Sequence, residues 1–429
     1  AKKPEGINMA LRGEFTPPGD KSISQRLVLI SILAHGEMSV SGLSDSDDVR
    51  VSLEIFRALG GEAHGCGSKW TIKGLGGQTA HQGDEPLDLN CGGSSAAMRL
   101  LSGVLAGLPG LYVLDGDDHL RRRPMERVID PLRQMGARAE TTSGRCPLTI
   151  RGGGLHGIEY VNDENSAQLK GAVIFAALSA GSPSRVIEPI STRDHTERLV
   201  NAFGGRATLN PPCLEIMPGR LELPETFSVP GDLSAAAFFL TGAAIMPDSR
   251  VTARNIVLSG SRIGFLKVLD RMGALVSISL EQEKPEPTGS VTVEYAGPLK
   301  ATEIAPEEVP SLIDEMPILS LAAAWAKGTT VFRRVRELRF KDVDRMMAVK
   351  HQLGALGARV RAENDDLSVE GPTKPILPEF LDAARDQQMA MMLHIALAAS
   401  GAGRPVQGDE VMAGSYPNFK QDLAALSAG

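Results

Sequence analysis

The stretch Pro17-Pro18-Gly19-Asp20-Lys21-Ser22-Ile23-Ser24-Gln25-Arg26 decides how this chain folds. Its Pro and Gly residues end a strand-like segment, and an apolar helix is predicted over 23–34 with Ser22 near its N-cap. On that helix Arg26 would follow Ser22 by one turn on the same face. Cations and a hydroxyl at the positive end of a helix favour binding of an anion. A capped surface helix with incidental charges is the alternative, whereas a P-loop is excluded because Asp20 stands where that motif needs Gly.

A unit built of helices and strands recurs along the chain. One of its elements is an apolar helix end followed by Gly and a short strand-like run, seen at Gly60, Gly136, Gly204, Gly273 and Gly357. A second element is a polar helix start followed by an alanine-rich helix, a turn and a strand. These starts are Lys21-Ser22, Gly92-Gly93-Ser94-Ser95, Asn165-Ser166, Asp232-Leu233-Ser234, Asp314-Glu315 and Asp386-Gln387. A fixed period of this kind predicts six repeated units, the sixth of which is cut off after its helix near Gly429.

The tripeptide Pro-Gly-Asp indicates where the chain passes between two domains. It occurs at 18–20 and again at 230–232, three repeats later. We therefore predict an α/β protein in which residues 20–230 form an inserted domain, while 1–19 and 231–429 together form a discontinuous one. A chain of 429 residues is also too long for a single core. A solenoid is the alternative, but the helix starts are polar and chemically distinct, and no unit resembles a solvent-exposed cap.

The composition is that of an ordinary globular protein and excludes several classes of function. A net charge of −7 and an aromatic content of 4% argue against a general nucleic-acid binder. The four cysteines form no CxxC pair and the histidines no HExxH motif, so we predict reduced thiols and no metal. We find no signal-like apolar start and no run long enough to cross a membrane, so we expect a cytoplasmic protein.

Charged and hydroxyl side chains gather at the predicted helix starts and in the connections between the units. Singly, each has an ordinary explanation, since an acid at a helix start stabilises the helix and a basic run is usually a solvated loop. Because these groups fall at equivalent ends of repeated units, we expect them to converge on one cleft. The stretches 152–157 and 281–289 are instead predicted to be solvated connections without chemistry. The converging groups are Arg121-Arg122-Arg123-Pro124, Ser166-Ala167-Gln168, Ser191-Thr192-Arg193-Asp194-His195, Asp314-Glu315 and Lys341-Asp342-Val343-Asp344-Arg345.

These motifs, in this order, resemble those of the 5-enolpyruvylshikimate-3-phosphate synthase family, also called 3-phosphoshikimate 1-carboxyvinyltransferase. The resemblance implies a two-domain enolpyruvyl-transferase fold of six βαβαββ-type units, three per domain. This inside-out α/β barrel would direct its helix starts into an active-site cleft between the domains. The resemblance runs nearly end to end and rests on Gly19–Arg26, Met98–Leu101, Leu120–Met125, Ser166–Lys170, Ser191–Glu197, Pro230–Ser234, Asp314–Pro317, Lys341–Arg345 and Ser415–Pro417.

The resemblance also implies a reaction and a set of site residues. The enolpyruvyl group of phosphoenolpyruvate would move to the 5-hydroxyl of shikimate 3-phosphate, with release of phosphate and without metal or cofactor. Asp314 would be the base for the hydroxyl, and Lys21 and Asp342 would handle protons on the enolpyruvyl carbon. Shikimate 3-phosphate would bind to Lys21, Ser22, Arg26, Ser166, Ala167, Gln168, Arg193, Asp314 and Lys341. Phosphoenolpyruvate would bind to Lys21, Gly93, Ser95, Arg123, Gln168 and Arg345.

Four departures from the family pattern cluster in the predicted phosphoenolpyruvate site. Gly93-Ser94-Ser95 replaces an Asn-x-Gly loop, and Asp342 replaces a glutamate. Gln388 stands where the family has an arginine, and Gly414 stands where it has a lysine. The shikimate part of the site is nearly intact by comparison.

Because of these departures, three functions stay open at this stage. The first is the synthase itself, working on small molecules as a monomer without nucleic-acid or membrane partners. The second is a diverged homologue that binds shikimate or its phosphate and catalyses an elimination or dehydration without phosphoenolpyruvate. The third is a non-catalytic ligand-binding homologue, which the retention of Lys21, Asp314 and Lys341 disfavours. A sister family with a UDP-sugar acceptor is disfavoured too, because the segment 115–121 has no cysteine to match its reactive one.

Overall fold

The computed structural model describes residues 10–81, 83–341 and 343–428, in which the chain forms two compact units. The inserted unit comprises Gly19–Pro230 together with Lys284–Glu286. The discontinuous unit comprises the chain up to Pro18, Gly231–Glu283 and the chain from Pro287 onward. The segment Lys284–Glu286, predicted to lie in the discontinuous domain as part of a solvated loop, therefore belongs to the inserted unit.

Twelve α-helices occur in the described residues, and they alternate along the chain between two kinds. Six, here called the inner helices, are buried along most of their length, and all but the first are rich in alanine: Lys21–Ile30, Ser95–Ala106, Ala167–Leu178, Leu233–Ile245, Met316–Trp325 and Gln387–Ala399. Six, here called the outer helices, keep one face exposed: Asp47–Ala58, Glu126–Gln134, His195–Ala202, Gly264–Met272, Arg345–Ala355 and Phe419–Ser427. Short 3-10 helices lie at Leu120–Arg122, Val309–Ser311, Arg336–Phe340 and Asp409–Gly414.

Each sheet of the inserted unit has the same pattern, a parallel pair followed by two antiparallel pairings. A small parallel pair, Leu221–Glu222 with Ala34–His35, completes the unit. The strands in spatial order are Thr226–Ser228, Glu37–Ser41, Lys69–Lys73 and Glu62–Cys66 in the first sheet; Pro86–Asn90, Gly110–Asp115, Arg145–Gly152 and Arg138–Thr142 in the second; and Glu159–Val161, Ser184–Ile187, Cys213–Met217 and Arg206–Asn210 in the third.

The discontinuous unit repeats this pattern twice and then shortens it. In the described residues its last sheet has only the parallel pair. The strands in spatial order are Arg12–Phe15, Arg250–Val257, Thr288–Glu294 and Leu275–Gln282 in the first sheet; Glu303–Ile304, Gly328–Phe332, Asp366–Gly371 and Arg359–Glu363 in the second; and Leu381–Asp382 with Val406–Gln407 in the third. The prediction of six βαβαββ-type units, the last one incomplete, is confirmed.

The Pro-Gly-Asp sequences mark the crossings because each combines close backbone approach with a helix cap. A Cβ on Gly19 would lie 1.6 Å from the carbonyl oxygen of Gly42, so only glycine fits there. The next residue, Asp20, is the N-cap of the first inner helix, and its Oδ1 accepts a hydrogen bond of 2.9 Å from Ile23 N. The predicted helix over 23–34 with Ser22 near the cap is therefore wrong in its bounds. The acidic side chain captures the free N–H groups, and the helix runs over Lys21–Ile30.

Alanine and glycine let the inner helices approach one another closely. In the inserted unit, a Cβ on Gly103 would lie 2.0 Å from the carbonyl oxygen of Ala172, so the helices Ser95–Ala106 and Ala167–Leu178 meet backbone to backbone. Burial on most sides explains why these helices show little amphipathic pattern in the sequence. Among the described residues, no helix combines the length and apolar character that a membrane crossing needs.

Candidate active site

The first inner helix of the inserted unit begins with a cation that is held by a carboxylate. Lys21 Nζ lies 2.7 Å from Asp48 Oδ2, at the start of the neighbouring outer helix. Burial alone would raise the pKa of Asp48, but the charge and hydrogen bond of Lys21, a hydrogen bond from Ser94 and the charge of Arg123 hold that pKa below its ordinary value. Asp48 therefore stays ionised, and it interacts with Lys21, Ser94 and Arg123, which lie far apart in the sequence.

The second inner helix begins at the predicted phosphoenolpyruvate loop. Ser94 is its N-cap, with Oγ accepting a hydrogen bond of 3.2 Å from Ala97 N. Ser95 Oγ accepts a hydrogen bond of 3.1 Å from Arg123 Nη2, so this serine lies directly against the predicted phosphoenolpyruvate arginine. Gly93 lies on the same turn, where a Cβ would be 3.1 Å from Asp117 Oδ2.

The third inner helix begins with the predicted Ser166-Ala167-Gln168 group. Ser166 is its N-cap, and Ala167 is its first residue, which leaves the backbone N–H groups of the first turn directed out of the helix. Gln168 Oε1 accepts a hydrogen bond of 2.7 Å from Arg99 Nη1, and Arg99 Nη2 donates to the Pro124 carbonyl oxygen at 3.3 Å. Arg99 therefore fixes the Gln168 amide and connects it to the loop that carries Arg123.

A buried ion cluster supports that third helix start. Lys170, with 1% of its side chain exposed, lies 2.9 Å from Glu188 Oε2 and 2.6 Å from Glu197 Oε1. Burial would lower the pKa of Lys170, but the charges of Glu197 and Glu188 raise it above its ordinary value, so the lysine stays charged. Glu188 also accepts hydrogen bonds from Asn162 Nδ2 and Thr192 Oγ1 at 3.1 and 2.6 Å. The cluster therefore ties the segment before Ser166 to the segment before Arg193.

Arg26 lies on the first inner helix and is almost fully buried. Its Nε donates to Thr196 Oγ1 at 2.8 Å and its Nη1 donates to the Ser22 carbonyl oxygen at 3.1 Å. Burial lowers the pKa of Arg26 to about 10, and the charge of Glu197 opposes that shift while the charge of Arg193 adds to it. Arg26 and Arg193 are thus close enough to repel each other, an arrangement that favours an anion between or beside them.

The discontinuous unit carries the predicted base. Asp314, just before the fifth inner helix, has its Oδ1 at 2.9 Å from Lys341 Nζ and 3.6 Å from Arg345 Nη1. Arg345 is held in turn by Asp386, whose fully buried side chain lies 2.8 Å from Arg345 Nε. The other oxygen of Asp386 caps the sixth inner helix by accepting from Gln388 N and Met389 N at 2.9 and 3.1 Å. One carboxylate therefore fixes both the arginine and the helix start.

A second buried network holds the residue next to Asp314. Glu315 accepts a hydrogen bond from Ser234 Oγ, which in turn accepts one of 2.9 Å from Arg262 Nη2. Arg262 has only 1% of its side chain exposed and also lies 3.2 Å from Asp232 Oδ1. These contacts fix the start of the fourth and fifth inner helices to each other inside the discontinuous unit.

Three further positions of the predicted phosphoenolpyruvate site remain, at 342, 388 and 414. Asp342 lies outside the described residues. Gln388 is half-buried in the first turn of the sixth inner helix, and Gly414 ends the 3-10 helix Asp409–Gly414. The described residues contain no group of three or more His, Cys, Asp or Glu side chains that could hold a metal ion.

Sequence reasoning missed the residues that hold the site residues in place. Four residues that were not predicted to belong to the site each bond one predicted site residue: Asp48, Arg99, Thr196 and Asp386. Three signals were available, since Arg99 lies in the Met-Arg motif, Thr196 lies within Ser191–Glu197 and Asp386 opens a helix at a repeated position. The segment 281–289 was wrongly predicted to be wholly solvated, because Glu286 has 1% of its surface exposed.

Comparison with known proteins gives one consistent family. A model of EPSP synthase (3-phosphoshikimate 1-carboxyvinyltransferase) matches residues 6–423. The 3-phosphoshikimate 1-carboxyvinyltransferase of Synechococcus elongatus is 39% identical over 99% of this chain and 95% of its own length. That of Lactiplantibacillus plantarum is 37% identical over 98% of this chain and 97% of its own.

Solved structures agree with the sequence relatives. EPSP synthase from Acinetobacter baumannii superposes with a TM-score of 0.84 at 33% identity, over 98% of this chain and 96% of that one. The enolpyruvyl transferase NikO from Streptomyces tendae has a TM-score of 0.77 over the same shares, and its 20% identity speaks only to the fold. The predicted enolpyruvyl-transferase fold is confirmed.

Proposed function

Because the chain belongs to the EPSP synthase family, we propose that it works as a 3-phosphoshikimate 1-carboxyvinyltransferase with the residues of both units described above. The enzyme transfers the enolpyruvyl group of phosphoenolpyruvate to the 5-hydroxyl of shikimate 3-phosphate in the shikimate pathway. The main observation in support of this proposal is the position of Asp314. It is a partly exposed carboxylate 2.9 Å from Lys341 Nζ, at the start of an inner helix. A carboxylate so placed can accept a proton while a neighbouring cation keeps it ionised.

We assign the shikimate 3-phosphate to the residues around Arg26. Arg26 and Arg193 supply charge, Ser22 and Ser166 supply hydroxyls, and the first turn that begins at Ala167 supplies backbone N–H groups. Charged donors and free helix-start N–H groups together suit a phosphate dianion. Gln168, Asp314 and Lys341 would also bind this substrate, as the family resemblance implies.

We assign phosphoenolpyruvate to the residues around Arg123. Arg123, Ser95 and the turn at Gly93 lie together in the inserted unit, and Lys21 is joined to them through Asp48. Arg345 would contribute a second guanidinium, since Asp386 holds it in a fixed orientation. Fixed cations of this kind stabilise the negative charge of the departing phosphate without reorganisation.

The proposed reaction adds and then eliminates. A proton passes to the methylene carbon of phosphoenolpyruvate, which makes the adjacent carbon electrophilic. The 5-hydroxyl oxygen attacks that carbon as its proton passes to Asp314, giving a tetrahedral ketal phosphate. Loss of a methyl proton and of inorganic phosphate then restores the double bond. Lys21 and Asp342 would carry the proton on and off the carbon.

The direct test is to incubate the protein with shikimate 3-phosphate, with and without phosphoenolpyruvate, and to identify the products by mass spectrometry. The proposal expects enolpyruvylshikimate 3-phosphate and one equivalent of phosphate only when both substrates are present. A dehydrated or dephosphorylated ring formed without phosphoenolpyruvate would instead support the second candidate, an elimination on the shikimate ligand. This candidate stays because Gln388 and Gly414 stand at positions where the family resemblance implies an arginine and a lysine.

We also propose that the enzyme works as a cytoplasmic monomer. All four cysteines are free thiols, and Cys91 and Cys146 are buried. Unpaired thiols are typical of a reducing compartment. Light scattering coupled to size-exclusion chromatography would give the mass in solution, and a dimer mass would overturn the monomer.

A further inference from the structure

Glu286 is a buried carboxylate in an otherwise exposed and charged loop. Lys284–Glu286 joins the strands Leu275–Gln282 and Thr288–Glu294, yet these three residues belong to the inserted unit. Glu283 and Lys284 are exposed, whereas Glu286 keeps only 1% of its surface accessible. Burying a carboxylate is unfavourable unless it is paired, so the partners of Glu286 explain its position.

Those partners lie on one helix of the inserted unit, the outer helix His195–Ala202. Glu286 Oε1 lies 2.9 Å from Nδ1 of His195, which is completely buried and is the first residue of that helix. Glu286 Oε2 lies 3.8 Å from Arg198 Nε, one turn further along. Arg198 in turn bonds Asp194 at 2.7 Å. The carboxylate therefore clamps the first turn of the helix and the residue before it.

The same first turn bears on the proposed shikimate 3-phosphate site. Thr196 directly follows His195, and its Oγ1 accepts the 2.8 Å hydrogen bond from Arg26 Nε. Arg193 directly precedes Asp194, the partner of Arg198. Displacing this turn would move the acceptor that orients Arg26 and the backbone that carries Arg193. Neither effect touches the residues assigned to phosphoenolpyruvate.

We propose that Glu286 is a positioning residue for shikimate 3-phosphate, which holds the start of the helix His195–Ala202 and through it orients Arg26 and Arg193. This role rests on the proposed function of the Arg26 site. Glu286 acts through His195, Arg198 and Thr196, and its charge also favours the protonated form of Arg26. Its removal should therefore weaken binding of one substrate and leave the chemical step and the other substrate nearly unchanged.

The test compares Glu286→Ala, Glu286→Gln and the exposed control Glu283→Ala in the full-length protein. We expect Glu286→Ala to raise KM and Kd for shikimate 3-phosphate about tenfold, equivalent to about 1.4 kcal/mol, with kcat and the KM for phosphoenolpyruvate within about twofold. Glu286→Gln keeps an oxygen acceptor for His195 at the same position, so it should stay within about threefold of the wild type. Glu283→Ala should match the wild type.

Several outcomes would overturn the role. One is a folded Glu286→Ala protein with wild-type KM and Kd for shikimate 3-phosphate, and another is a loss confined to kcat. A Gln variant that binds more tightly than the wild type would show that the charge of Glu286 opposes phosphate binding, which positioning does not explain. If Glu286→Ala does not fold, Glu286→Asp can be measured instead, because it keeps the charge but shortens the side chain by one methylene. An unchanged KM for shikimate 3-phosphate in that variant would also contradict the proposal. A wild-type protein that neither binds shikimate 3-phosphate nor forms product would overturn the proposed function instead.

Discussion

The inner helices of the two units begin with different charges. In the inserted unit two of the three N-caps are neutral serines, Ser94 and Ser166. In the discontinuous unit all three N-caps are carboxylates, Asp232, Glu315 and Asp386. A carboxylate at a helix start neutralises the positive end of the helix dipole and uses its free N–H groups. Two helix starts of the inserted unit therefore carry no acidic cap that would oppose an anion, whereas every inner-helix start of the discontinuous unit carries one.

The cations follow the same division. In the inserted unit the buried Arg26 lies near Arg193, whose charge adds to the lowering of the Arg26 pKa that burial mainly causes. In the discontinuous unit Lys341 forms an ion pair with Asp314, and Arg345 forms one with Asp386. We infer that the inserted unit supplies most of the anion binding and the discontinuous unit supplies the base.

The strongest test of this division is Asp314→Asn. Amide replaces carboxylate with almost the same shape, so the acceptor for Lys341 remains and the proton acceptor is lost. We expect kcat to fall at least ~100-fold, within the range for removal of a general base, while Kd for shikimate 3-phosphate changes little. Steady-state kinetics and calorimetric titration give the two quantities. The exposed Asp270→Asn is the matched control, and near-normal turnover in Asp314→Asn would remove that residue from the mechanism.

The converse test in the inserted unit is Arg193→Ala. A hydrogen bond to a charged group contributes roughly 1.5–3 kcal/mol, so Kd for shikimate 3-phosphate should rise by about one to two decades. The value of kcat at saturating substrate should fall far less. Arg206→Ala removes an exposed arginine of the same unit and should leave Kd unchanged. Equal losses in kcat and kcat/KM with an unchanged Kd would place Arg193 with the catalytic groups and break the comparison.

A third test restores cations to the discontinuous unit. Gly414 ends a 3-10 helix and Gln388 lies in the first turn of an α-helix, so neither backbone resists a longer side chain. Gln388→Arg combined with Gly414→Lys should lower Kd for phosphoenolpyruvate about tenfold, which corresponds to about 1.4 kcal/mol. This is less than the roughly 3–6 kcal/mol that two hydrogen bonds to charged groups could give. The titration uses protein already saturated with shikimate 3-phosphate. Gly403→Lys, at an exposed glycine with free space around it, controls for added charge.

The wild-type value in that titration is itself informative. A micromolar Kd for phosphoenolpyruvate in the unmodified protein would show that Gln388 and Gly414 do not weaken this site. Tightening by Gly403→Lys equal to that of the double variant would show that the gain is a general charge effect rather than a repaired contact.

The fold could be predicted from the sequence because the residues that begin and end its helices recur at regular intervals. The five glycines of the repeat each follow an outer helix within two residues, and five of the six predicted polar starts contain the observed N-cap. The exception is the first, where Asp20 takes the cap from Ser22. Helix bounds depend on which side chain reaches the free N–H groups, and spacing alone does not decide between adjacent candidates.

The partners of the site residues could not be predicted in the same way. Asp48 and Lys21 are 27 residues apart, and Glu286 and His195 are 91 apart, in segments with no common motif. Glu286 also lies among charged residues that are exposed, so composition predicts solvent for the whole loop. Only the tertiary structure shows that one carboxylate of that loop is buried against a histidine.

The smallest expected effect concerns how the discontinuous unit holds the 3-10 helix that ends at Gly414. Asp409, in the first turn of that helix, lies 2.8 Å from His394 Nε2 and 2.6 Å from Lys420 Nζ. Burial lowers the pKa of His394 below its ordinary value of 6.5, although the hydrogen bond and charge of Asp409 oppose that shift. The unfolded chain therefore binds the proton more readily, and stability present above pH 6.5 is lost as the pH falls through the folded-state pKa. His394→Gln keeps a donor to Asp409 but cannot titrate.

We therefore expect the midpoint of thermal unfolding to fall more between pH 7.5 and pH 5.5 in the wild type than in His394→Gln. His351→Gln, on an exposed face of an outer helix, should follow the wild type at every pH and so removes the effect of histidine content alone. If His394→Gln also follows the wild type, burial does not control this histidine. If the wild type becomes more stable as the pH falls, the attraction of Asp409 outweighs burial. In that case this corner of the discontinuous unit gains a cation in acid, which Asp409 holds.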